Sequence, residues 1–164
     1  MVARDRRRHP GEQRVPRAGY YGWKREEIEK ILDSLRKRAR LGVPIVVEGR
    51  RDREALSKLA VQGVILSLKG AGQSKSHFLD SLHEFRDIIL LTDFDAKGIE
   101  LRQWLYQELT TRGIRAEDLT WRRIKSLAGT EVRSVEELPT FLRSMEAKSR
   151  GQRPEKPRHV RPLA

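Results

Sequence analysis

Two stretches decide how this chain folds: Pro44-Ile45-Val46-Val47-Glu48-Gly49, and Asp87-Ile88-Ile89-Leu90-Leu91-Thr92 running into Asp93-Phe94-Asp95. Each is an apolar run of strand length that stops at a carboxylate. Runs of that kind read as buried strands of a parallel sheet, and charge at their carboxyl ends falls on the edge where open α/β sheets hold ligands. Glu48, Asp93 and Asp95 are therefore expected on one rim. Asp93 and Asp95 stand two residues apart, and alternate side chains of an extended segment point to the same side. A plainer reading exists for each acid taken singly, since the chain re-enters water there and a carboxylate can cap the next helix. It accounts less well for all three. Carboxylates gathered without a cation raise one another's pKa and cost stability, so the set points to a hard divalent ion with oxygen ligands: magnesium, with manganese as its substitute.

The rest of the chain supplies the alternation that a parallel sheet needs. Tyr20 to Trp23 is an aromatic patch opening a helix predicted over 24–41, where Ile28, Ile31, Leu32 and Leu35 recur at helical spacing and Gly42 is the stop. Beyond the first strand, 51–60 reads as helix on Ala55, Leu56 and Leu59, and 63–68 as strand. Residues 75–85 read as helix on Phe78, Leu79 and Leu82, and 98–111 as helix on Leu101, Trp104, Leu105 and Leu109. The 87–92 strand is the most apolar and is placed centrally. Leu119, Trp121 and Ile124 put a further helix at 117–127. Ser134 with Glu137 forms a capping-box pattern before a terminal helix carrying Leu138, Phe141, Leu142 and Met145. Trp23, Trp104 and Trp121 are assigned to packing. The β-α-β-α-β-α order calls for a Rossmann-like α/β fold, with a mainly parallel central sheet and helices on both faces.

Composition divides the chain. Of its 164 residues 37% are hydrophobic and 35% charged, a lean mixture for a packed globule. The net charge of +12 is concentrated at the ends. Residues 1–18 hold six Arg against Asp5 and Glu12, and residues 148–164 hold six Lys or Arg against Glu155, whereas 44–98 balances eight basic with eight acidic residues. The expected organisation is a basic disordered arm (1–18), a single domain (19–147) and a basic disordered tail (148–164). Proline-studded basic arms are used on phosphate backbones; a solvated tail that aids solubility is the alternative. The absence of cysteine excludes disulfides, Cys-based zinc sites and thiol nucleophiles. Neither a membrane-length apolar run nor a secretory hydrophobic core is visible, so a cytoplasmic protein without membrane attachment is expected.

At Glu48-Gly49-Arg50-Arg51-Asp52 and Thr92-Asp93-Phe94-Asp95-Ala96-Lys97-Gly98 the sequence resembles a Toprim domain, the catalytic module shared by topoisomerases, bacterial primases, ATPase-linked nucleases and a ribonuclease that matures ribosomal RNA. The family pattern is Glu-Gly after the first strand and Asp-x-Asp after a later one. Both are present in order, and the resemblance runs over about residues 43–127. The motif forms are those of the ribosomal-RNA maturase and of small stand-alone archaeal Toprim proteins. Topoisomerases carry a further acid two residues after the second aspartate, where this chain has Lys97. The resemblance implies Glu48 as general acid or base, with Asp93 and Asp95, joined by Glu48, holding magnesium against a phosphodiester. Asp52, four residues after Glu48, would orient a water or a neighbouring ligand. Arg50, Arg51, Lys69, Lys75 and Lys97 would ring the acidic centre and receive the nucleic-acid backbone.

Missing parts narrow the chemistry. As read, the chain leaves no room for a topoisomerase breakage domain and has no cysteines for a primase zinc module. It also lacks a Walker loop, since Ser74 rather than Gly precedes Lys75-Ser76. Gly70 and Gly72 beside Lys69 and Lys75 form either a phosphate-holding turn or a plain strand-to-helix turn. The expectation is a magnesium-dependent protein acting on or binding nucleic acid, with RNA favoured over DNA. Its best form is a small nuclease (a metal-dependent phosphodiesterase) or RNA-processing factor, with ribosomal or RNA-processing assemblies as partners. The alternative is a non-catalytic nucleic-acid-binding or regulatory Toprim module. A receiver-like or flavodoxin-like signalling domain also sets acids at strand ends, but leaves the basic arms unexplained.

Overall fold

Strands β1 (Ile45–Val47) and β3 (Asp87–Leu90) form the centre of a four-stranded parallel sheet of order β2-β1-β3-β4, with β2 at Ile65–Ser67 and β4 at Arg115–Glu117. The structure is a computed structural model and describes residues 17–70 and 72–151. The disorder expected of the two basic arms lies, for residues 1–16 and 152–164, outside the described residues. Within them, helix α1 already starts at Arg17 and α6 continues to Ser149, so helix reaches into both segments assigned to the arms.

The central strands are buried on both faces, which is why they read as unbroken apolar runs. Ile45 and Val47 of β1, with Ile89 and Leu91, enter one core; Val46, Ile88 and Leu90 enter the other. Helices α1 (Arg17–Arg40), α2 (Arg50–Lys58), α5 (Leu119–Ala128) and α6 (Leu138–Ser149) close the first core. Helices α3 (Lys75–Ser81) and α4 (Ala96–Thr111) close the second. Helices thus cover both faces, as the sequence requires.

Helix α1 buries the stripe Ile28, Ile31, Leu32, Leu35 and Ala39, and it stops where Gly42 takes the left-handed φ of +91°. Its start at Arg17 rather than Lys24 was hidden because the first two turns carry no apolar stripe; there Lys148 of α6 lies 4.9 Å from the centre of the Tyr21 ring. Trp121 is buried and Trp104 half-buried, but Trp23 corrects the packing assignment, being 52% exposed. Strand β4 was not anticipated, because Arg-Ala-Glu has neither an apolar run nor alternation. It forms at the sheet edge, where Arg115 pairs with Asp87 of β3, and a charged edge resists pairing with another chain. The expected capping box at Ser134 is replaced by a 3-10 turn, Val135–Glu137, without a side-chain cap from Ser134. The Glu137 carboxylate accepts from the amide of Arg133 at 2.7 Å instead.

Leaving β1, the chain first builds β2 on one side and then returns to build β3 on the other. The topological switch point therefore lies between β1 and β3, the crevice where doubly wound sheets bind ligands at the carboxyl ends of their strands. Glu48 and Asp93 stand at those two ends. Among the described residues no helix is long and apolar enough to cross a membrane.

Candidate functional site

Glu48 follows β1 directly and is buried, 7% exposed. Its Oε1 accepts from the backbone amide of Asp93 at 3.0 Å, across the switch point. Its Oε2 faces the Nζ of Lys69 at 3.5 Å. Lys69 is set there by the backbone, because its amide donates to the Glu48 carbonyl at 2.8 Å as a continuation of the β1–β2 pairing.

Asp93 is half-buried, and its Oδ1 accepts from the amide of Val135 in the 3-10 turn at 3.0 Å. Burial drives its pKa from 3.8 up to about 7, against the lowering effect of that N–H, and the charges of Asp52, Glu48 and Asp95 push the same way as burial. Asp52, on the first turn of α2, is 5% exposed and accepts from the amide of Gly49 at 3.0 Å. Its pKa is also raised, first by burial and then by the charges of Glu48 and Glu136, with the Gly49 hydrogen bond opposing. Asp95 is exposed, and its Oδ1 accepts from the amide of Gly98 at 2.8 Å, capping α4. The capping role weighed for single acids is thus taken by Asp95, while Asp52, at the third position of α2, accepts from the amide of the N-cap residue Gly49. β3 ends at Leu90; beyond it Phe94 is turned into the core, 1% exposed, between the half-buried Asp93 and the exposed Asp95, whose backbone is extended.

The acidic loop is fastened from several sides. The indole N–H of Trp121 donates to the Thr92 carbonyl at 2.9 Å, the ammonium of Lys125 to the Phe94 carbonyl at 3.0 Å, and the amide of Phe94 to the Arg133 carbonyl at 2.8 Å. The hydroxyl of Thr92 donates to the Gly98 carbonyl at 2.8 Å. Gly98 has to be glycine, because a Cβ there would lie 2.0 Å from the carbonyl oxygen of Asp93. Sequence reading missed Trp121, Lys125, Val135 and Gly98 as site residues. Backbone amides and carbonyls act here, so side-chain chemistry gives no signal, except that Gly98 closes the Asp93-to-Gly98 motif.

The donors are hard carboxylate oxygens of the kind a divalent cation takes. Glu48, Asp93 and Asp95 each give one oxygen to a backbone amide, which fixes the carboxylate, and the second oxygen of Glu48 faces the Lys69 ammonium. Among the described residues no three acidic or imidazole side chains already converge as a full ligand set.

The five basic residues divide. Lys69, Lys75 and Lys97 line a cavity of about 650 Å³ that opens beside Glu48. Arg50 pairs with Glu54 one turn along α2 at 2.8 Å, and Arg51 approaches Glu136 at 4.0 Å; both arginines are largely exposed. After the glycine loop, Ser74 caps α3, its hydroxyl accepting from the amide of His77 at 3.2 Å.

These elements define a class: a doubly wound α/β domain whose switch point is rimmed with carboxylates. Residues 43–121 match the Toprim domain. The chain is 38% identical over 112 residues to a UPF0292 protein of Thermoplasma volcanium, spanning 67% of this chain and 92% of that one. It is 36% identical over 121 residues to a UPF0292 protein of Pyrococcus furiosus, spanning 73% and 87%. A solved structure, a putative protein from Aquifex aeolicus, superposes with a TM-score of 0.58 at 26% identity, over 66% of this chain and 95% of that one. The chain belongs to the Toprim family, together with the small archaeal UPF0292 proteins. Membership carries a metal-binding, nucleic-acid-related role.

Proposed function

We propose that the protein is a small magnesium-dependent phosphodiesterase acting on nucleic acid, RNA before DNA, in the manner of an RNA-processing nuclease. The observation that carries this reading is the contact between Glu48 and Asp93 across the switch point, with one oxygen of each carboxylate held by a backbone amide and Glu48 Oε2 facing the Lys69 ammonium. Magnesium bound there supplies positive charge against the phosphate oxygens. The protein's part is positional. Asp93 and Asp95 present hard oxygen donors, and Glu48, held at Oε1, offers Oε2 to move a proton at the attacking or leaving oxygen. Lys69, Lys75 and Lys97 meet phosphate along the cavity, and the basic arms add contacts independent of sequence.

A single-turnover assay on structured RNA and DNA, with and without magnesium, tests the reading. Cleavage by the wild type that is lost in Glu48→Gln is expected. Absence of cleavage over substrates that the protein binds would favour a binding module, the reading that Lys97 and the unconverged ligand set support.

A further inference from the structure

The cavity beside Glu48 has a composition that phosphate binding alone does not call for. Its wall is apolar, formed by Leu68 after β2 and by Leu101 and Trp104 on α4, while Lys69, Lys75 and Lys97 stand around it and outnumber the carboxylates Glu48 and Glu100. Lys97, Leu101 and Trp104 follow one another at helical spacing, so they lie along one face of α4 with Lys97 at the acidic end. Seven residues of helix place Trp104 roughly 10 Å further along. Trp104 is half-buried, and Lys75 reaches over its ring, with Nζ 5.2 Å from the centre. A cavity of about 650 Å³ is of ordinary small-ligand size. Its size and lining suit a flat aromatic group with negative charge attached.

We infer that this cavity takes one unstacked nucleotide next to the scissile phosphate: its base lies against Trp104 and its phosphates meet Lys69, Lys75 and Lys97. The substrate class is then nucleic acid with an unpaired nucleotide, at an end or in a loop, rather than continuous duplex. The inference rests on the proposed function for the position of the scissile phosphate, but base capture itself needs neither metal nor cleavage. Base stacking on an aromatic side chain and recognition of unpaired nucleotides are common means of reading single strands.

The test is equilibrium binding of a fluorescent single-stranded oligonucleotide and of the blunt duplex of the same sequence, in EDTA and without reading cleavage. Trp104→Ala is expected to weaken single-strand binding about ten-fold while leaving duplex binding unchanged, and Trp104→Phe to restore most of the loss. Photocrosslinking of the wild type to a 4-thiouridine oligonucleotide is expected to label Trp104 or Leu101. Equal losses for single strand and duplex, no loss in a folded Trp104→Ala, or crosslinks confined to other surfaces would overturn the inference. Failure of the nuclease assay alone would leave these binding results standing, so the two readings fail separately.

Discussion

The backbone amide of Asp93 donates to Oε1 of Glu48 at 3.0 Å, so the acid after β1 fixes the backbone of the acid after β3. Glu48 therefore has a structural duty besides any chemical one, and two substitutions separate them. Glu48→Gln keeps an oxygen acceptor for the amide. Thermal denaturation should find it near wild type, with cleavage reduced at least about 10²-fold. Glu48→Ala strands the Asp93 amide and should cost about 1–3 kcal/mol.

The second prediction concerns pH. Asp93 has its folded pKa raised from 3.8 to about 7, so the stability linked to its proton is complete below about 3.8 and is lost as pH rises through about 7. Without metal, the wild type should lose stability relative to Asp93→Asn between pH 5 and pH 8, read by urea denaturation. Magnesium, which competes with that proton, should stabilise the wild type more at pH 8 than at pH 5. A metal-free difference between wild type and Asp93→Asn that does not vary with pH would count against the assignment.

Asp95 caps α4, and under the proposed function it also offers an oxygen to metal. Asn can still cap, whereas Ala cannot, so Asp95→Ala should lose about 0.5–2 kcal/mol of stability and Asp95→Asn much less. The double variant Asp93→Asn with Asp95→Asn should fold but show no manganese or magnesium binding by calorimetry. Undiminished binding would place the ion elsewhere.

Gly98→Ala is a test of sign. Helix propensity alone favours alanine by about 1 kcal/mol. The Cβ, however, would stand 2.0 Å from the Asp93 carbonyl oxygen, and backbone has to move to admit it. A net loss of about 1–3 kcal/mol, with weaker metal binding, is expected from denaturation and calorimetry.

The basic ends should be removed where helix stops. Deleting residues 1–16 and 152–164 spares α1 and α6 while removing basic sequence. Nucleic-acid affinity should fall, and the slope of log affinity against log salt should flatten by roughly 0.7–0.9 for each phosphate that the ends had neutralised. An unchanged slope would make the ends irrelevant to binding.

What the sequence revealed followed burial. Val46 and Ile88 to Leu90 are enclosed by helices on both sides, so their strands appear as apolar runs, and the carboxylates that end those runs mark the crevice. β4 escaped because an edge strand of Arg-Ala-Glu needs no apolar pattern. Lys125 and Val135 escaped because they act on or through peptide groups, which every residue has. Asp95 was legible as a candidate from its place after the apolar run, and the capping role weighed for each acid singly fits it, since its Oδ1 accepts from the amide of Gly98.

The fasteners of the acidic loop have a consequence for where this protein can be cut. The shared family stretch ends at residue 121, but Lys125, Arg133 and Val135, which grip Phe94 and Asp93, come after it. A fragment trimmed to that stretch would keep every recognisable acid and shed the clamps that hold Asp93 and the neighbouring Phe94. The Toprim match, in this molecule, marks out the ingredients of the site, while the smallest piece able to hold them in place extends into sequence outside that match.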